Sequence, residues 1–291
     1  MQNEALLRDL ARCGSPETLL AAILEHHPDW QAPVQVEAFA GSVGIAEIRD
    51  LTADGFTSAL MADSGKTKGI ILCAPSSIAQ RRRFAIAHQL GHFLLKTHCG
   101  DRQCTNRDLS ETRRDTVHRK EEMQANRFAA GLLMPKPWFN LFVDGLGKPM
   151  VTHLPAIATA YEVSLETAAS RYVDLAQGMC AFVFIKDGVM RYARRSRAFP
   201  PISIRPGDPV PPAVLSALPK DRITWMPADV REWIDVPRDV RPPKLMMQIL
   251  TKENGFQLVM LFVNAAAERR MDEEEAKMAA QSPKFGRDYR R

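Results

Sequence analysis

Apolar residues recur at helical spacing from residue 4 to 27, and "PVQVEAFAGSVGI" (33–45) continues as a second, short helix ending at Gly44. The texture then changes between 46 and 73. "AEIRDL", "TSALMA" and "GIILCA", separated by Asp54-Gly55 and Ser64-Gly65, predict short strands of a small sheet. Helical spacing returns at 78 and predicts a helix to about Lys96. Ser77 offers an N-cap, and Gln80 three residues later completes a capping-box pattern. A polar loop over 97–117 leads to a second long helix, "RKEEMQANRFAAGLL", which Pro135 should stop. Residues 154–176 read as two short helices broken at Val163-Ser164.

After Gly178 the character shifts to strands. "AFVFIKDGVMRYAR" and "KLMMQILTKENGFQLVMLFV" (244–263) are both hairpin-like, the second closing on Asn254-Gly255. A proline-rich stretch, 199–243, lies between them with one helical patch at "ADVREWI", and from Ala267 the chain is polar and charged. A length of 291 residues suits two units of ordinary size. The expected organisation is therefore an α+β domain over 1–178 with a helix-turn-helix-like pair at 154–176, a smaller C-terminal α+β unit over 179–266, and a charged tail over 267–291.

Composition narrows the classes. Hydrophobic residues at 45% and charged residues at 25% are ordinary for a chain that buries a real core. The net charge of +5 is partly local, in Arg81–Arg83, "RYARRSR" (191–197) and "KFGRDYRR" (284–291), which read as solvated faces and a loose tail. The five cysteines are odd in number and scattered, the N-terminus lacks the apolar core of a signal peptide, and no run reaches the ~18 apolar residues of a membrane span. A reducing cytoplasm is the consistent expectation.

The candidate chemistry sits in "RRRFAIAHQLGHFLLKTH" (81–98). His88 and His92, at i and i+4, project from one helix face about a turn apart, the separation at which two imidazoles share one tetrahedral zinc. Chance alone also puts two histidines at that spacing on an amphipathic helix. The second long helix offers Glu122 as a third ligand, with Asn126 one turn later as an outer partner; His118, one turn earlier, is a further polar neighbour or, the more frequent case, a surface histidine. His98 lies near Cys99 and Cys104, but their spacing fits no common zinc pattern and they read as loop thiols.

"RRRFAIAHQLGHFLL" followed some thirty residues later by "EEMQANRFAAGLLMP" resembles the ImmA/IrrE family of zinc metallopeptidases, and the likeness extends over roughly residues 30–176. The resemblance implies a zincin-like domain, a small sheet plus helices carrying HxxxH and ExxAN, with His88, His92 and Glu122 as zinc ligands. It implies an endopeptidase that cleaves a DNA-binding repressor or antitoxin, so that the partner is a helix-turn-helix transcriptional regulator. Some relatives carry a sensor-like domain at the position of the C-terminal unit, which implies a regulatory role there.

The chain departs from the family at one position. The catalytic glutamate falls on position 89, which here is Gln89. That glutamate takes a proton from the attacking water and returns it to the leaving amine; an amide of the same size orients water and cannot accept the proton. General acid–base catalysis contributes about 10²–10⁴-fold, so the glutamine should remove most of it. The residue is an engineered substitution, a natural variant with weak proton shuttling, or the mark of a pseudoprotease. The rival reading is a zinc-stabilised module that sequesters the same regulator without cutting it. DNA binding ranks below both, because the helix at "LETAASRYVDL" carries one arginine and little base-reading chemistry.

Overall fold

The N-terminal helical run divides into α1 (Glu4–Leu10) and α2 (Pro16–His26). Ser15 makes the break: its hydroxyl accepts from the Thr18 backbone N–H, the Thr18 hydroxyl accepts from the Ser15 N–H, and Pro16 occupies a first-turn position where no N–H is needed. Helix α3 (Val36–Ser42) ends before Gly44, whose φ of +113° turns the chain into the sheet. The structure, a computed structural model, describes residues 4–52, 56–75, 78–98, 117–216, 223–236, 242–252 and 254–263, with the backbone alone of 102–104.

Strands β1 (Ile45–Asp50), β2 (Ser58–Ala62) and β3 (Gly69–Cys73) form where the sequence predicts them, and β4 (Arg102–Cys104) adds a fourth. The order is β1-β3-β2-β4, with β1 parallel to β3 and β2 antiparallel to both neighbours. The region of β4 was expected to be loop throughout. Three residues, two of them Arg102 and Gln103, are too few and too polar to show strand alternation, so pairing with β2 alone makes them a strand.

Helix α4 (Ala79–Leu94) and helix α5 (Val117–Leu133) pack side by side, and α2 lies against α5, where Arg127 pairs with Glu17 at 3.2 Å. The expected serine cap of α4 is not what starts it. Its N-cap is Ile78, without a side-chain cap; Ser77 lies outside the described residues. Arginines near the start of the helix reach neighbouring segments. Arg82 pairs with Asp50 of β1, and Arg83 donates to the Val34 carbonyl at 2.9 Å and faces Glu162 at 3.7 Å. Arg83 is 8% exposed, so the Arg81–Arg83 run is not simply a solvated face. At the other end Lys66, in the β2–β3 turn, donates from Nζ to the carbonyls of His92 and Leu95 at 2.7 and 2.8 Å, placing a cation on the negative end of the helix.

Pro135 ends α5 as expected, but the chain restarts at once as α6 (Lys136–Leu146), with Pro137 in its first turn. The proline that stops one helix there is followed by one that suits the start of the next. Helices α7 (His153–Tyr161) and α8 (Leu165–Leu175) follow, separated where Ser164 Oγ accepts from the Thr167 N–H at 3.1 Å.

The second part of the chain is one antiparallel sheet: β5 (Met179–Lys186), β6 (Val189–Arg195), β7 (Met226–Pro227), β8 (Leu245–Thr251) and β9 (Phe256–Val263), in the order β6-β5-β9-β8-β7. Both tight hairpins turn on a pair with positive φ, Asp187-Gly188 (+51°, +77°) and Asn254-Gly255 (+60°, +70°), the handedness that matches strand twist. Short helices α9 (Pro212–Leu215) and α10 (Val230–Trp233) bring Val214 and Trp233 into a core with Val183, Ile185, Val259 and Leu261. The segment from Ala267 lies outside the described residues. The chain divides into two compact units, Met1–Tyr172 and Val173–Arg291, and among the described residues no helix is long and apolar enough to cross a membrane.

Candidate metal centre

From Ala85 to Leu94 every side of α4 is covered. The sheet takes one side, where Phe93 meets Gly69, and α5 takes another, where Gly91 meets Ala125. His88, Gln89 and His92 are thus carried into the interior on a helix whose other buried positions include Ile86, Ala87, Leu90 and Phe93. Burial of three polar side chains in such surroundings is costly unless they find partners or an ion.

They converge with Glu122 of α5, also fully buried. His88 Nε2 lies 3.1 Å from Glu122 Oε2 and 3.1 Å from His92 Nε2, and His92 Nε2 lies 3.3 Å from Glu122 Oε1. A tetrahedral ion with bonds of about 2.0–2.1 Å holds its donors roughly 3.3 Å apart, and each of these separations is of that size, the two carboxylate contacts being made by different oxygens of Glu122. Two imidazole nitrogens and a carboxylate oxygen form a donor set that borderline-soft divalent metals accept, and the group His88, His92, Glu122 can hold a metal ion.

The electrostatics point the same way. Burial pushes the His92 imidazolium down to about 3, against the opposing pull of Glu122, with His88 and His98 lowering it further. Burial alone would raise Glu122, but the close approach of the His88 and His92 ring nitrogens outweighs it and holds the carboxyl well below its usual range. Around neutral pH this leaves an ionised carboxylate beside a neutral His92, both desolvated. A cation is the natural complement.

Gln89 is fully buried beside this cluster in sequence, and its amide Nε2 donates to Ser58 Oγ of β2 at 2.8 Å. No described residue donates to its Oε1. The sequence reading did not single out Ser58. It stands at the first position of β2, facing inward with Leu60, and the inward alternation of "SALMA" is the signal that could have found it.

His98 lies in the turn after α4, within the stretch expected to be loop, and it has contacts that its place near the cysteines does not suggest. It is buried, its Nδ1 lies 3.0 Å from His92 Nδ1, and its Nε2 lies 3.1 Å from Gln124 Oε1. The side chain of Cys104 and all of Cys99 lie outside what is described. His118 is about half exposed, with Nδ1 3.9 Å from Glu122 Oε1, and Asn126 is partly buried one turn after Glu122.

A buried His-x-x-x-His helix packed on a helix that supplies a glutamate, under a small mixed sheet, is the arrangement of a metallopeptidase-like domain. Residues 47–172 match the IrrE N-terminal-like domain of the Peptidase_M78 family, which supports an ImmA/IrrE-family metallopeptidase-like domain in this part of the chain. No curated protein matches the chain.

Proposed function

We propose that this is a zinc-dependent endopeptidase unit of ImmA/IrrE type whose Gln89 leaves metal binding intact and suppresses turnover. The observation that carries the reading is the convergence of His88, His92 and Glu122 donor atoms at edges of 3.1–3.3 Å in a buried site. His88, His92 and Glu122 would hold the zinc, and bound there it would supply Lewis acidity, polarising a peptide carbonyl and acidifying water. Glu122 balances part of the charge. Asn126 and His118 are outer partners of Glu122, acting on its orientation.

Gln89 occupies the general-base position. With its amide nitrogen engaged by Ser58, only Oε1 remains to accept a hydrogen bond from water, and an amide oxygen does not take up the proton near neutral pH. It orients the nucleophile and leaves the proton where it is. The partner in this reading is a helix-turn-helix transcriptional regulator, a repressor or antitoxin, acted on in the cytoplasm. The tie between Gln89 and Ser58 also favours a second reading, in which the zinc-loaded chain sequesters such a regulator without cutting it.

The test is to load the chain and its Gln89→Glu and His92→Ala variants with zinc and assay each against a co-encoded regulator. Gln89→Glu should raise cleavage by about 10²-fold or more, and His92→Ala should abolish metal binding. Full activity of the parent, unchanged by Gln89→Glu, would assign the base elsewhere. Tight regulator binding without cleavage by either form would select the sequestering module.

A further inference from the structure

We propose that His98 and Gln124 act as a positioning pair that fixes the tautomer and ring orientation of His92, turning its Nε2 lone pair toward the metal; this rests on the metal-site reading above. The direction of the hydrogen-bond chain follows from its end. Gln124 presents Oε1, which carries no proton, so His98 Nε2 must be the donor across the 3.1 Å contact. A neutral imidazole has one N–H, which leaves His98 Nδ1 as an acceptor. Across the 3.0 Å contact the donor is then His92 Nδ1. His92 Nε2 is consequently the bare nitrogen, and it is the one that lies 3.1 Å from His88 Nε2 and 3.3 Å from Glu122 Oε1.

The backbone holds this pair in place. His98 closes the turn after α4, its N–H bonding the Leu95 carbonyl at 3.1 Å, and the same carbonyl is gripped by Lys66 Nζ together with that of His92. Ligand and supporting histidine are thus tied to one cation from the β2–β3 turn. Helix α5 supplies both Glu122 and Gln124, so the helix that brings the third donor also terminates the chain that orients the second. Outer partners of this kind change metal affinity by about 10–100-fold when removed, because an unfixed imidazole spends part of its time in the wrong tautomer or rotation.

The experiment uses the full chain, stripped and titrated with Zn²⁺ against a chromophoric chelator, with the Co²⁺ ligand-field spectrum as a second readout. His98→Leu should weaken zinc binding about 10–100-fold and alter the Co²⁺ spectrum. His98→Asn, whose Oδ1 falls near the position of Nδ1 and accepts the same hydrogen bond, should bind within about threefold of the parent. Gln124→Leu, at a partly buried position, removes only the end of the chain and should also weaken binding; it serves where His98→Leu does not fold. Parental affinity in both leucine variants would overturn the pair while leaving the metal site standing. Equal losses in His98→Leu and His98→Asn would reduce His98 to packing and overturn it as well. A parent chain that binds no zinc would bring down the metal site and the pair together.

Discussion

Gly91 of α4 stands directly against Ala125 of α5: a Cβ on Gly91 would lie 3.0 Å from Ala125 Cα and 3.3 Å from its carbonyl oxygen, with Phe128 Cδ1 at 3.2 Å. Gly91 immediately precedes His92, and Ala125 lies three residues after Glu122. The absence of a side chain here sets how closely the two ligand-bearing helices approach.

Gly91→Ala should therefore act on both stability and metal binding. Two of the three obstructing atoms are backbone, which cannot swing aside, so α4 and α5 must separate. Overpacking of this kind costs about 1–3 kcal/mol, measurable by urea unfolding of the metal-free chain. Zinc affinity should fall with it, because His92 moves with position 91. A variant as stable as the parent and equally tight for zinc would show slack between the helices.

Acid should destabilise the metal-free protein through the same cluster. His92 is held down to about 3 by burial, whereas the unfolded chain protonates it near the ordinary 6.5. Below that pH the unfolded state binds a proton that the folded state refuses, so stability is present above 6.5 and is lost as the pH falls toward 3. The slope approaches about 1.4 kcal/mol per pH unit for one proton. Glu122, also lowered in the fold, adds its share below about 4.5. The urea midpoint should drop from pH 7 to pH 4, more steeply below 4.5, and His92→Leu should lack part of that slope. Parallel profiles for parent and His92→Leu would remove His92 as a source.

Cys73 and Cys180 should be inert in the folded chain. Burial pushes the Cys73 thiol up to about 11, Arg82 opposing and Asp50 and Glu37 adding, and burial pushes Cys180 to about 12 against a hydrogen bond with Ser196. Thiolate is the reactive form, so both sites should stay unmodified by iodoacetamide at pH 8 until urea is added, as read by peptide mass mapping. Rapid native labelling of Cys73 would mean that β3 opens readily.

Much of this was legible in the chain because it depends on local pattern. Alternation in "GIILC", the Asp187-Gly188 and Asn254-Gly255 turns and the i, i+4 histidines each state their structure within a few residues. Glu122 was reachable because its helix resembles a family pattern. What escaped depends on tertiary approach. Lys66 caps a helix 26 residues away, β4 exists only by pairing with β2, and Ser58 matters only because Gln89 reaches it. The contact of His98 with His92 escaped for the same reason. Its place beside Cys99 and Cys104 fits no zinc pattern and gives it no role, and only the turn after α4 brings its ring onto His92. The Ser77 cap falls on a residue outside the described ones, and the helix's N-cap is Ile78.

The Ser58–Gln89 contact gives the sharpest test of how position 89 is hosted. Ser58 is fully buried, and its hydroxyl accepts from the Gln89 amide at 2.8 Å. Ser58→Ala removes that acceptor and leaves a buried N–H donor unmet, at a cost of about 1–3 kcal/mol. In the Gln89→Glu background the same hydroxyl can rotate and donate to the carboxylate, so the site accommodates the substitution without a new orphan group. Removing the hydroxyl there leaves a buried carboxylate short of a donor to its charged form, which costs more than a neutral pair and raises the carboxyl's affinity for a proton. Ser58→Ala should therefore destabilise the Gln89→Glu chain more than the parent. It should also shift the acid limb of its cleavage profile to higher pH. Equal effects in the two backgrounds, by a double-mutant cycle on urea stability, would show that residue 89 does not depend on Ser58 once it is a carboxylate.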